Sequence, residues 1–181
     1  MHRVARILIA LLAFGAFVRA QETDRTKEYK VKAALVANFA KFTTWPKSAF
    51  QNEFAPVVIG VWGKKPLGGR IDALAGKRVG SRRIVVKHVR TTAAARRCHV
   101  LFVPKIAPAD RRKLFVALAG APTLTVGDQA GFAENGGILN LRVVSGKVRF
   151  DVNPKAAARA GLRLHPKLLR SGRIVRERSA R

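Results

Sequence analysis

The chain has 181 residues and carries 36 lysines and arginines against 10 aspartates and glutamates, a formal net charge of +26. Its one cysteine, Cys98, excludes an internal disulfide, so stability has to come from packing. With 48% apolar residues, the length suits one domain with a core of ordinary size and leaves little room for a second.

Met1 to Arg6 is basic, and Ile7 to Val18 is an uninterrupted apolar run that ends in Val18-Arg19-Ala20. As a helix such a run spans only about 18 Å, short of the roughly 30 Å of bilayer hydrocarbon. The pattern predicts an export signal cleaved after Ala20, a periplasmic mature chain Gln21–Arg181, and no transmembrane segment after cleavage. No cysteine follows the cleavage position, which argues against a lipoprotein. Without Arg3, Arg6 and Arg19 the mature chain has 33 basic and 10 acidic side chains. A charge of that size normally suggests nucleic acid. Export points instead to lipid head groups, glycan phosphates or acidic protein faces. The basic residues are spread from Lys27 to Arg181, so most read as solvated surface and only secondarily as a field that steers an anionic partner.

Val31, Leu35, Phe39 and Phe42 predict one buried face of a helix over Thr26 to Phe42, ended by Thr43-Thr44 and Trp45-Pro46. Pro56 to Trp62 reads as a buried strand, Pro66 to Ala75 as a short helix with proline in its first turn, and Arg83 to Val89 as a second strand. A helical turn or two over Thr91 to Arg97, a strand over His99 to Val103, a helix over Pro108 to Leu118 and a strand over Pro122 to Val126 follow. Strands separated by crossovers of this length become parallel neighbours. Gly137 to Val144 and Lys147 to Val152 are joined by Ser145-Gly146, the signature of an antiparallel hairpin. Asn153-Pro154 reads as N-cap and first position of a helix through Ala160, closed by Gly161; a last short helix follows His165-Pro166. The expected fold is an α/β three-layer sandwich, a mostly parallel sheet flanked by helices with a C-terminal antiparallel hairpin. It forms a single domain over residues 21–175, after the leader 1–20 and before a frayed basic tail 176–181.

Catalytic chemistry needs convergent groups. The acidic residues form no HExxH, no DxD and no close pair, and no serine sits in a G-x-S-x-G elbow. Cys98 and His99 are neighbours, but adjacent residues on a strand point to opposite faces, so Cys98 reads as a buried apolar thiol. No catalytic residue, metal or cofactor is expected, and the chain reads as a non-enzyme. Two loops carry the binding hypotheses. Gly63 to Arg70 leaves a strand with Lys64, Lys65 and Arg70, the setting of weak anion capture, although it lacks the ending of a nucleotide-binding loop. Gly127 to Gly137 is long, glycine-rich, holds one aromatic, and leaves the carboxyl end of a parallel strand. Asp128, Gly131, Phe132, Glu134, Gly136 and Gly137 from this loop, with Arg149 from the hairpin, form the expected partner- or ligand-binding set. Phe132 could equally plug the core, and melting separates the two readings.

From Lys30 onward the chain resembles the YfiR family of periplasmic regulators. The likeness is carried by Val31 to Leu35, Asn38 to Phe42, Trp45-Pro46, Val58 to Val61, Leu74 to Lys77 and Cys98 to Phe102. Its sharpest stretches are Leu124 to Asp128, Gly131 to Glu134, Gly136 to Ile138 and Gly146 to Asn153, with Gly161-Leu162, Lys167 to Leu169 and Arg173 to Val175 completing it. The resemblance implies a negative regulator that holds down an inner-membrane diguanylate cyclase by binding its periplasmic sensor region. It also implies release when an outer-membrane lipoprotein captures the regulator, and so control of cyclic di-GMP, exopolysaccharide and biofilm. Characterised members use disulfides, which the lone Cys98 cannot supply, and Pro166 stands where serine is common. The alternative is a periplasmic sensor of a small anionic or nucleotide-like ligand, and a polyanion binder is the third option. The sequence leaves monomer and homodimer open.

Overall fold

Val57–Trp62 is apolar throughout because both of its faces are covered, the mark of a central parallel strand. In the computed structural model, which describes residues 24–63 and 66–178, it is β2, following helix α1 (residues 24–41) and the two-residue strand β1 (Thr43–Thr44). Then come β3 (Arg78–Val79), β4 (Arg82–Val89), α2 (Thr92–Ala95), β5 (Val100–Val103), α3 (Pro108–Ala117) and β6 (Leu124–Gly127). The chain continues through β7 (Leu139–Val144), β8 (Lys147–Val152), α4 (Pro154–Arg159), β9 (Arg163–Leu164), α5 (Pro166–Ser171) and β10 (Arg173–Ile174). The expected leader, Lys64, Lys65 and the tail beyond Arg178 lie outside the described residues.

Among these residues one eight-stranded sheet has the order β10-β8-β7-β6-β5-β2-β4-β3. From β4 through β2, β5 and β6 to β7 every pairing is parallel, whereas β3 and β8 are antiparallel to β4 and β7. A separate antiparallel pair joins β1 to β9. The hairpin turn holds Ser145 at φ 48° and Gly146 at φ 70°, the left-handed pair that lets two strands reverse without splaying. Asn153 caps α4 by accepting from the Ala156 N–H at 3.0 Å, and Pro154 follows it.

Two cores flank the sheet. On one face α1, α4 and α5 pack over Ile59, Phe102, Leu124 and Leu139; on the other α2, α3 and Phe132 pack over Leu101 and Val103. These are the three layers expected from the sequence. Three details differ. The buried side of α1 is Lys32, Ala33, Val36, Phe39 and Ala40, while Val31 is 46% exposed and Leu35 and Phe42 sit at the core margin. Residues 66–75 do not form one helix but two 3-10 turns, Pro66–Gly69 and Asp72–Leu74, because Leu67, Gly68 and Gly69 adopt left-handed backbone. The tail is not loose from Arg176: the Arg178 N–H donates to the Glu134 carbonyl at 2.8 Å and Arg159 pairs with Glu177 at 2.7 Å.

Candidate functional site

The Gly127 to Gly137 loop leaves the carboxyl end of β6, and its aromatic residue is fully buried. Phe132 packs edge-on against Phe115 with ring centroids 5.2 Å apart. A Cβ at Gly127 would lie 2.1 Å from Phe132 Cγ, and one at Gly137 would lie 2.2 Å from Phe132 Cε1. These glycines therefore let the backbone close on the ring. The expected partner-facing aromatic is thus part of the core, and Gly137 is buried with it. Gly131 and Gly136 are half-buried, and both need the left-handed backbone they adopt.

Contacts from several distant elements hold the loop. Lys32 of α1, only 5% exposed, donates to Asp128 at 2.7 Å and pairs with Glu28 at 2.5 Å. Burial opposes the Lys32 ammonium, but its bonds to Asp128 and Glu28 outweigh this and hold its pKa above the ordinary value. Asp128 moves upward as well: burial pushes it up and Lys32 offsets this only in part. Gln129 accepts from the Ile106 N–H at 3.1 Å, and the Ala133 carbonyl accepts from Asn153 Nδ2 at 2.8 Å. Glu134 reaches Arg173 at 3.3 Å. None of these contacts is adjacent in sequence, which is why composition alone could not assign them.

Arg149 belongs to a different surface. Along the hairpin Leu139, Leu141 and Val152 point into one core with Phe150 beside them, so Arg142, Arg149 and Asp151 point the other way. The core on that side includes no residue of β7, β8 or β10. Arg149 and Arg173 are exposed on this face, whereas Asn140 and Asp151 beside them are buried. Arg149 stands directly opposite Arg142, and Asp151 stands opposite Arg173. Asp151, 1% exposed, accepts from Arg142 at 2.7 Å and from Arg173 at 2.8 and 3.0 Å. Burial pushes its carboxyl up, but the hydrogen bonds from Arg173 and Arg142 prevail and hold its pKa below the usual range.

Beyond the loop lies a groove of about 850 Å³ between α3 and α4. Phe115 and Ile138 line its apolar part, and Arg111, Arg112, Arg159 and Arg178 stand around it. Sequence reading missed it, because its walls come from α3, α4, Gly136 and the tail; the only visible signal was the Arg111-Arg112 pair.

The parallel order reverses between β2 and β5, so the switch point lies at their carboxyl ends, where β2 leaves through Gly63 toward Arg70. Lys64 and Lys65 lie outside the described residues, and Arg70 is half-buried. Close by, His88 Nε2 and Asp72 Oδ1 are 2.7 Å apart. At the amino end of the sheet Cys98 is buried in one core, its thiol pushed up to about 11 by desolvation. His99 faces the other side: its ring stacks on Phe50 at 4.2 Å, and Nδ1 accepts from the Val58 N–H at 3.0 Å. That fixes the tautomer with Nε2–H donating to the Ala49 carbonyl at 2.9 Å. Thiol and imidazole do not meet, and a thiol held protonated is a poor nucleophile. Among the described residues no three metal-binding side chains converge, and no helix is long and apolar enough to cross a membrane.

Comparison with known proteins gives two findings. The profile of the YfiR/HmsC-like family matches residues 29–173. A crystal structure of a conserved domain protein from Vibrio cholerae O1 biovar El Tor is similar in fold, with TM-score 0.50 and 14% identity over 65% of this chain and 54% of that one. The chain thus spans about half the length of that protein.

Proposed function

The chain belongs to the YfiR/HmsC-like family, and from that premise we propose that it is a periplasmic regulator of cyclic di-GMP signalling that acts by protein contact. In finer terms, it restrains an inner-membrane diguanylate cyclase by binding that enzyme's periplasmic sensor region, and an outer-membrane lipoprotein relieves the restraint. The observation that carries this reading is the family match over residues 29–173. The site chemistry agrees with a contact role. Cys98, the strongest intrinsic nucleophile in the chain, is buried and held as a thiol, away from His99.

The contact surface we assign is the hairpin face with Arg142, Arg149 and Arg173, bordered by Glu134 of the tethered loop. Arginine on a rigid strand offers a planar fork to a carboxylate at small entropic cost. Deleting the gene should raise cellular cyclic di-GMP, and the wild-type gene should bring it down again. An unchanged level in the deletion strain removes the regulatory reading. Mass spectrometry of periplasmic extract should find the N-terminus at or near Gln21; intact Met1 in the membrane fraction overturns the location.

A further inference from the structure

We infer that the groove between α3 and α4 is a second docking surface, one that takes an acidic segment of a partner protein carrying an apolar side chain. The inference rests on the contact-regulator reading and names the chemistry of a partner for it. The chain itself shows how the groove treats a carboxylate. Glu177, carried in from the tail, lies against Arg159 at 2.7 Å, and its Oε1 would be 3.1 Å from a Cβ placed on Gly136. One of the four arginines around the groove is therefore already matched. Arg111, Arg112 and Arg178 make no ion pair or side-chain hydrogen bond among the described residues, so the groove keeps an excess of positive charge.

The apolar element is also present. Phe115 and Ile138 line the groove, and Val116, on the same wall, is 71% exposed on a helix that otherwise turns its apolar side inward. A small inorganic anion would engage one or two arginines and leave Phe115, Ile138 and Val116 wet. A peptide segment with carboxylates on both sides of an apolar residue would satisfy both features, and charge complementarity would speed its encounter. A neighbouring copy of this chain is a poor occupant, because two strongly basic surfaces repel.

The test uses the mature chain starting at Gln21 and a labelled peptide Asp-Glu-Leu-Glu-Asp, followed by fluorescence anisotropy at physiological salt. Binding should weaken by roughly tenfold or more in Arg112→Glu, as for reversal of a contacting charge. Arg83→Glu, which makes the same change in net charge on β4 near the opposite edge of the sheet, should stay within about twofold. Replacing the peptide's leucine by glycine should also weaken binding. Equal losses in the two variants would mean that net charge alone attracts the peptide, and the inference fails. Displacement by inorganic phosphate at matched ionic strength, together with indifference to the leucine, would make the groove a small-anion site and overturn it too.

Cyclic di-GMP in the complemented deletion strain separates the two proposals. If deletion has no effect, the regulatory reading falls, whatever the peptide does. If deletion raises the level and folded Arg112→Glu restores it fully, the groove inference falls alone.

Discussion

β5 and β7 stand two places apart in one sheet, yet they obey different rules. β5 reads Val-Leu-Phe-Val, with every residue buried between two helical layers. β7 starts buried but ends with Arg142 half-buried and Val143 and Val144 exposed, and its partner β8 alternates polar and apolar. Strands covered on both faces tolerate almost no polar side chain, whereas a half-covered pair has every second position free for other uses. The parallel half of this sheet serves stability, and charges available to a partner appear where a helical layer is missing.

Phe132 tests the first half of the contrast most severely. Phe132→Ala should destabilise the protein by about 3–5 kcal/mol, as for a large-to-small change in a packed core. Urea unfolding should show a lowered midpoint, and Gly127→Ala should behave similarly, because its new Cβ would collide with the ring. A small shift in midpoint would show that the loop is not a keystone. Next comes Asp151→Ala, which leaves Arg142 and Arg173 without their shared carboxylate. A loss of about 2 kcal/mol is expected, the scale of removing a buried charged partner.

Asp151 also has a pH signature. Its folded pKa lies below the ordinary aspartate value of 3.8, so its stabilising contribution is present above 3.8 and is lost as pH falls below that value. In Asp151→Ala this acid-limb loss should shrink.

His99 gives a smaller effect in a different window. Burial, first, and Arg82 beside it lower its pKa from 6.5, outweighing the bond to Ala49. The unfolded state therefore takes up a proton first, and stability declines as pH falls below about 6.5. Protonation would also turn Nδ1 into a donor facing the Val58 N–H. Chemical unfolding at pH 7.5 and pH 5.5 should show this slope in the wild type and a reduced slope in His99→Gln. Equal slopes would remove His99 from the account.

The smallest expected effect sharpens the second half of the contrast. Arg149→Glu should change stability by less than about 0.5 kcal/mol, since the residue is exposed and stands opposite another arginine. On the proposed contact surface it should nevertheless raise cyclic di-GMP in cells. Normal restraint by a folded Arg149→Glu protein would place the contact elsewhere.

Legibility in the sequence follows the same division. β2, β5 and β6 were readable because short, continuous apolar runs bounded by glycine and proline fit a strand covered on both faces. The hairpin was readable because Ser-Gly between two alternating runs specifies its turn. The two-residue strands β1, β3, β9 and β10 carry no periodicity of their own; distant partners create β1, β9 and β10, and β3 exists only as the short arm of a turn into β4. The buried face of α1 departs from the apolar spacing because one of its inward positions is a lysine. Lys32 goes inward because Glu28 and Asp128 meet it, and Val31 turns out as a consequence. At the candidate site, the loop was legible as unusual but not as a tethered plug, since the burial of Phe132 depends on Phe115 and two flanking glycines. The groove was invisible, being assembled from segments that only the folded chain brings together.

Lys32 and Arg173 lie near opposite ends of the described chain, yet both hold the same loop, through Asp128 and Glu134, across 96 and 39 residues respectively. Pairings of such span form slowly, because the intervening chain must be ordered before they yield any stabilisation. The clasp to α1 can close once Asp128 is available, while the second clasp waits for the last strand. A polypeptide that emerges from its N-terminus therefore holds an incompletely pinned loop until its final residues arrive. Loss of the C-terminal end from Arg173 onward would leave it in that half-fastened state, with Glu134 released and the groove missing the wall that Glu177 and Arg178 provide.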